Sequence, residues 1–264
     1  MIPYLGLTTF SLGPLTLHVW GLLVALGFLL GAFMAARLAK QRGDDPLIVW
    51  DMLTWVAIAG MIGGRIGHVL FYDPGYYATH LVEIFEIWKG GLSIYGGFIA
   101  ASITGILYLR HRKVDVLRYT DIVAFGMPFG MWIGRIGCFL IHDHPGTATH
   151  FLLGVQYPDG VVRHDLGLYE SINAFILAML FLWLSRKQRP AGMYLAVFSV
   201  WYGATRFGMD FLRTVDVRYV GLTPGQYFSI VLFGIGIFFA RRSLRHPSLS
   251  FSHPRVGGDP DRSE

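Results

Sequence analysis

Charge is scarce in this chain. Asp, Glu, Lys and Arg make up 15% of its 264 residues, against about 25% in soluble domains. Cysteine is scarcer still: Cys138 stands alone, which excludes an internal disulfide framework and a four-cysteine metal site. No Lys or Arg precedes Arg37, so the basic n-region of a secretory signal peptide is missing and the first apolar run is read as a retained helix. A net charge of +5 could suit nucleic acid, but the basic residues lie between apolar runs. That pattern orients a membrane protein and forms no nucleic-acid face.

What the chain does have is apolar length: 53% of its residues are hydrophobic and its mean hydropathy is +0.48. A bilayer crossing needs about 20 apolar residues. Seven runs approach or exceed that, at roughly 15–37, 48–72, 92–110, 121–141, 168–185, 191–212 and 224–241. Lys and Arg alternate between rich and poor across the connections. The first holds Arg37, Lys40 and Arg42, and the second Lys89. The third holds Arg110, Arg112, Lys113 and Arg118, and the fourth Arg163. The fifth holds Arg186, Lys187 and Arg189, the sixth Arg213 and Arg218, and the tail Arg241, Arg242 and Arg245. The positive-inside rule then sets the N-terminus outside and the C-terminus in the cytoplasm. The expected architecture is an all-α integral membrane protein over 1–243 with seven transmembrane helices. Residues 142–167 would form a small extracytoplasmic cap, and a polar tail over 244–264 would be disordered and cytoplasmic. In 80–89, His80, Glu83, Glu86 and Lys89 recur at every third position, which suggests a short helix lying on the outer interface. Glycines spaced by four, Gly60 and Gly64, Gly63 and Gly67, Gly126 and Gly130, Gly130 and Gly134, suggest close helix packing.

With this orientation Arg65, Arg135 and Arg206 all fall in the outer halves of their spans. An arginine at a helix centre costs about 3 kcal/mol to insert, less towards the interface. One such residue could serve as a paired packing group, held by Asp210 or Glu170. Three on one side point to a cavity for an anionic, phosphate-bearing ligand, since the guanidinium fork matches phosphate oxygens. Tyr202, Arg206 and Asp210 follow one another at four-residue steps on one helix face, so Asp210 could hold Arg206 while Tyr202 reaches the ligand. Arg135 and Cys138 are neighbours three apart. His18 and Trp20 mark the outer end of the first span, Tyr95 that of the third.

The stretches SLGPLTLHVWGL at 11–22, GGRIGHVLFYD at 63–73, KGGLSIYGG at 89–97, FGMWIGRIGCF at 129–139, RHDLGLYE at 163–170, YGATRFGMDFLR at 202–213 and PGQYFSI at 224–230 occur in a familiar order. Over about residues 11–243 the chain resembles the bacterial phosphatidylglycerol–prolipoprotein diacylglyceryl transferase family. The Gly-Arg-x-Gly core at 134–137 is the family signature. The resemblance implies transfer of the diacylglyceryl group of phosphatidylglycerol to the lipobox cysteine of a pre-lipoprotein signal peptide. The products would be a thioether and glycerol phosphate, formed in the bacterial plasma (inner) membrane at a site facing the extracytoplasmic side. No cofactor or metal is implied. By position Arg135 matches the family's lipid-binding arginine, Arg206 the second arginine near the reacting centre, Tyr202 the tyrosine before it, and Gly146 the glycine closing the signature block.

The chain also departs from the family pattern. Tyr95 stands where the family has a histidine that is a candidate base. Cys138 and Ile141 replace asparagines, Asp143 and Asp210 replace glutamates, and His164-Asp165-Leu166-Gly167 replaces His-Pro-Ser-Gln. His142 or His144 could then supply the missing base, as imidazole titrates near neutral pH. The expected catalytic set is Arg135, Arg206, Tyr202, Tyr95, Asp143 and His142. The expected substrate-binding set is Arg135, Arg65, Gly146, Arg206, Asp210, His18 and Trp20. Three alternatives stand beside it. One is a silent or repurposed relative that binds anionic phospholipid. Another is an acyltransferase using Cys138 with His142 as its base. The third is a zinc site built from His142, Asp143, His144, His150 and His164.

Overall fold

The computed structural model describes residues 1–245 except 14, 88, 89 and 215. The tail expected to be disordered from 246 onward lies outside the described residues, as does Lys89. Two short strands, β1 (Ile2–Pro3) and β2 (Thr9–Leu12), lead into β3 (Leu15–His18) and then α1 (Val19–Gln41). Next come α2 (Leu47–Phe71), the short α3 (Pro74–Thr79), a 3₁₀ turn (Leu81–Phe85), α4 (Ile94–His111) and α5 (Val116–Ile141). Strands β4 (Pro145–Ala148), β5 (Val155–Gln156) and β6 (Val162–Asp165) precede α6 (Leu166–Leu184), α7 (Met193–Met209), a 3₁₀ turn (Asp210–Leu212) and α8 (Pro224–Arg245).

Each of the seven expected apolar runs lies on a helix, but the lengths differ. Among the described residues five helices, α1, α2, α5, α6 and α8, are long and apolar enough to cross a membrane. α4 has 18 residues and α7 has 17. α7 starts late because Pro190 and Gly192, the latter at φ 90°, hold the chain in a turn. It ends early because the backbone tightens into the 3₁₀ turn at Asp210. The first run also begins differently from expectation. Residues 15–18 pair with 9–12 as a hairpin, and the helix starts only at Val19.

Glycine sets the closest helix contacts. A Cβ on Gly27 would stand 2.5 Å from the Gly130 carbonyl oxygen, so α1 and α5 touch backbone to backbone. α2 and α4 meet in the same way through Gly67 and Gly96, where an added Cβ would lie 2.9 Å from the facing Cα. The buried core lies towards the end of the bundle remote from the sheet, around Phe125, Phe129, Leu177, Phe181, Tyr194 and Phe198. At that end Arg42 Nη1 donates to Asp121 Oδ2 at 2.9 Å, and the Leu195 amide donates to Asp121 Oδ1 at 3.0 Å. Two buried charges are thereby paired where an isolated one would be very costly.

Within 142–167 the chain forms β4, β5 and β6, and their sheet has one further contributor that this segment's own sequence did not reveal. The sheet has the order β1–β5–β6–β4, and the N-terminal strand lies parallel to β5 in the register Ile2 with Val155. The short helix expected over 80–89 is instead a 3₁₀ turn at Leu81–Phe85 following α3. A three-residue spacing of polar groups matches the three residues per turn of a 3₁₀ helix better than the α period. Val82 and Phe85 lie exposed on it.

Candidate active site

The last turns of α5, the first of α6, the end of α7 and the start of α8 converge beneath the sheet. Glu170, in the first turns of α6, is buried at 4% exposure. Arg135 Nε of α5 lies 2.8 Å from Glu170 Oε2, and Arg206 Nη1 of α7 pairs with Glu170 Oε1. Arg206 Nη2 also lies 3.1 Å from Asp210 Oδ1, one turn later. Asp210 is held in turn: Thr223, immediately before α8, donates its hydroxyl to Asp210 Oδ2 at 2.5 Å. Gln226 fixes Thr223 by accepting its amide proton at 2.9 Å, and donates to the Phe207 carbonyl at 3.2 Å. Two arginines from different helices are thus brought together by one carboxylate, and one of them is oriented by a second. A guanidinium carries five N–H donors, so each arginine keeps donors beyond those spent on Glu170 and Asp210.

A cavity opens beside this group between α5, α6 and α7. Glu170, Arg206, Tyr202 and Asn173 line it together with Met131 and Leu177. Asn173 is fixed by accepting from Trp201 Nε1 at 2.9 Å and donating to Thr205 Oγ1 at 3.1 Å. Tyr202 lies against Arg135 and Glu170, on the α7 face that also carries Arg206. Tyr95, at the start of α4, is 43% exposed and lies within electrostatic range of Arg206 and Asp210.

Other expected residues are placed differently. Arg65 is buried, and its donors go to backbone carbonyls: Nε to Ile84 at 2.9 Å, Nη1 to Gly90 at 2.7 Å, and Nη2 to Glu83. Its guanidinium also stacks 5.1 Å from the Tyr77 ring. With its donors so used, Arg65 clamps the connection between α2 and α4 and does not point into the arginine group. Gly146 is buried in β4 and bridges to Arg213. A Cβ there would stand 2.9 Å from the Leu212 carbonyl oxygen and 3.0 Å from that of His164. Its glycine therefore seats the sheet on the end of α7. His18 is exposed at the end of the hairpin, and Trp20 packs against Gly137 of α5.

His142 is the clearest correction. It ends α5 at φ 51° and is buried. Its Nδ1 lies 2.6 Å from Asp165 Oδ2, and its Nε2 accepts the Leu5 amide proton at 3.2 Å. An Nε2 that accepts carries no proton, so Nδ1 is the donor to Asp165. The Tyr4 ring stacks on the imidazole at 4.1 Å, and Tyr157 donates its hydroxyl to the same Asp165 oxygen at 3.0 Å. Both ring nitrogens are used in joining the N-terminal strand to the sheet, so His142 has no lone pair for a substrate. The Cys138–His142 pair that an acyltransferase would need is likewise not formed. Cys138 is buried, with Sγ 3.9 Å from Arg135 Nη1. The five-residue zinc set does not assemble either, since His142 is tied to Asp165 and His164 Nδ1 sits 2.8 Å from the Tyr169 hydroxyl. Among the described residues, the metal-binding types that do converge are Cys138, Asp143 and His144, whose polar atoms lie within 4.8 Å of one another. The fixed positive charge of Arg135 beside Sγ opposes a metal cation there.

Glu170, expected from sequence only as a pairing partner for packing, is the hub of the group. The signal was present in the Leu168-Tyr169-Glu170 block that matches the family pattern. The family model for prolipoprotein diacylglyceryl transferase matches residues 8–241. This chain belongs to the prolipoprotein diacylglyceryl transferase family. It is 35% identical over 243 residues to the phosphatidylglycerol–prolipoprotein diacylglyceryl transferase of Nitratidesulfovibrio vulgaris (strain DSM 19637 / Miyazaki F), covering 88% of this chain and 92% of that one. The protein of the same description from Geobacter sulfurreducens is 33% identical over 251 residues, covering 90% and 95%. That from Bordetella avium is 33% identical over 252 residues, covering 89% and 95%. With five helices able to span a bilayer, this family member is a largely helical membrane protein.

Proposed function

We propose that this protein transfers the diacylglyceryl group of phosphatidylglycerol to the lipobox cysteine of a pre-lipoprotein, leaving a thioether and glycerol phosphate. The observation that carries the reading beyond family membership is the pairing of Arg135 and Arg206 on buried Glu170, beside a cavity lined by Glu170 and Arg206 together with apolar side chains. Such a site suits a lipid whose phosphate meets the guanidinium groups while its acyl chains stay in apolar surroundings. The thiol sulfur forms a bond to the glyceryl carbon, the bond from that carbon to the phosphate oxygen breaks, and its electron pair leaves on the phosphate. Fixed guanidinium groups in a site with little water stabilise that developing charge without having to reorganise.

In this reading Arg135 and Arg206 hold the phosphate, Glu170 keeps the two cations adjacent, and Asp210 orients Arg206. Tyr202, Tyr95 and Asp143 position the reacting groups. Residues 1–243 form one seven-span unit in the bacterial inner membrane, with the N-terminus outside and the C-terminus in the cytoplasm. The sheet of 142–167 caps the extracytoplasmic face, from which lipid and signal peptide enter. The alternation of basic connections supports that orientation, and α4 and α7 complete the span count with the help of their flanking turns.

Incubating the purified protein with phosphatidylglycerol and a lipobox peptide tests the reading. The peptide should gain the mass of one diacylglyceryl group, and glycerol phosphate should appear in equal amount. A folded sample that retains phosphatidylglycerol but yields neither product would mark a silent relative, the reading that Tyr95 in place of histidine favours.

A further inference from the structure

Transfer to a thiol needs a base, and the structure removes the most buried histidine near the site from that role. Both nitrogens of His142 are engaged, with Asp165 and with the Leu5 amide. Tyr95 offers a phenol, whose ordinary pKa of about 10 leaves it protonated at neutral pH. His144 is left.

We propose that the imidazole Nε2 of His144 accepts the proton of the incoming thiol, with Asp143 fixing its tautomer. The proposal rests on the transfer reading above. His144 Nδ1 lies 2.9 Å from the backbone carbonyl oxygen of Asp143 and 3.7 Å from its Oδ1. A carbonyl oxygen only accepts, so the proton sits on Nδ1 and the lone pair on Nε2. Nε2 has no hydrogen-bond partner among the described residues, and the side chain is 25% exposed.

The ring is also in the right place. His144, Asp143 and Cys138 bring their polar atoms within 4.8 Å of one another, and Cys138 Sγ lies 3.9 Å from the Arg135 guanidinium. His144 therefore borders the arginine that would hold the phosphate. The charged groups facing it are Asp143, Arg135, Arg213 and Glu170. Burial is the largest influence on its titration and lowers its pKa, and Arg135 and Arg213 lower it further against the opposing carboxylates. The imidazole is thus neutral, and a base, at neutral pH. The step balances: the S–H proton passes to Nε2, the sulfur pair forms the carbon–sulfur bond, and the carbon–oxygen pair departs with the phosphate. The imidazolium then returns its proton to water.

The test is kcat/KM against pH for transfer to the lipobox peptide, with phosphatidylglycerol retention and thermal unfolding as folding controls. Wild type should show an acid limb below pH ~6.5, where a histidine of lowered pKa protonates. His144→Ala should bind phosphatidylglycerol as wild type does and lose about 10²–10⁴-fold in rate. Its residual rate should rise tenfold per pH unit until the thiol itself ionises near pH ~8.5. A peptide with selenocysteine at the reacting position, already ionised at neutral pH, should restore the His144→Ala rate to within about tenfold of wild type. It should not rescue Arg135→Gln. Should the alanine variant fail to fold, His144→Gln carries the same comparison. Folded His144 variants that keep the wild-type rate and pH profile overturn the proposal, as does a defect that the selenol peptide leaves uncorrected. A wild-type protein that forms no thioether overturns the transfer reading itself.

Discussion

Arg135 and Arg206 sit on different helices and share one carboxylate: Glu170 lies 2.8 Å from Arg135 Nε by one oxygen and pairs with Arg206 by the other. Two guanidinium groups this close would repel each other in a site shielded from water. The shared anion makes the arrangement stable before any lipid arrives, so the arginines need not be gathered by the ligand.

Glu170→Gln therefore leaves Arg135 uncompensated beneath the sheet and Arg206 with Asp210 alone. Removing one partner of a buried ion pair costs about 3–5 kcal/mol, and here one removal breaks two pairs. The expected result is a markedly lower unfolding midpoint in detergent and loss of phosphatidylglycerol retention. Glu170→Asp should recover part of the stability and little of the binding, because the shorter side chain cannot reach both arginines.

His142 offers a contrast, since its work is to join the sheet to the N-terminal strand. His142→Ala leaves the Leu5 amide without its partner, at about 1–3 kcal/mol for a buried polar group, and leaves Asp165 to the Tyr157 hydroxyl and the Leu168 amide. Hydrogen exchange should quicken at Ile2, Leu5 and 155–165, while turnover per folded molecule stays within about threefold of wild type. A large loss of turnover with unchanged exchange would show that the imidazole acts on substrate.

Much of this was legible from sequence, and the limits have physical reasons. The apolar runs and basic connections gave the helices, because span length and charge placement are local properties. The α5 glycines Gly126 and Gly130 were visible as a four-residue spacing, but Gly27, their counterpart on α1, was not singled out. The two arginines were found because an intramembrane arginine is costly enough to stand out. Glu170 reads from sequence as the pairing partner of one arginine, because a single carboxylate says nothing of how many cations reach it. Only the convergence of α5, α6 and α7 shows that it meets two cations. His142 and His144 looked interchangeable, being two residues apart. The left-handed turn at His142 sends their rings to different partners, and no periodicity encodes that.

The sheet should carry its own alkaline signature. Burial, then the neighbouring Asp165 carboxylate to which its hydroxyl donates, push the Tyr157 phenol far above its usual value near 10. A folded-state pKa raised in this way contributes stability that is fully present below the unfolded value. That contribution is lost as pH rises past about 10. Unfolding midpoints measured from pH 8 upward should fall more steeply for wild type than for Tyr157→Phe above about pH 10. Equal slopes would mean that the phenol is not held by Asp165.

The claim that two arginines act jointly on one phosphate is tested most directly by a double-mutant cycle on transfer. Turnover with phosphatidylglycerol and the lipobox peptide is compared for wild type, Arg135→Gln, Arg206→Gln and the double variant. If the pair grips a single group, each single change lowers kcat/KM by about 10²–10³-fold. The double variant then falls little further than the worse single one, because either loss already breaks the shared site. Losses that multiply, or a single variant with wild-type turnover, would show that the arginines act apart and would contradict the account.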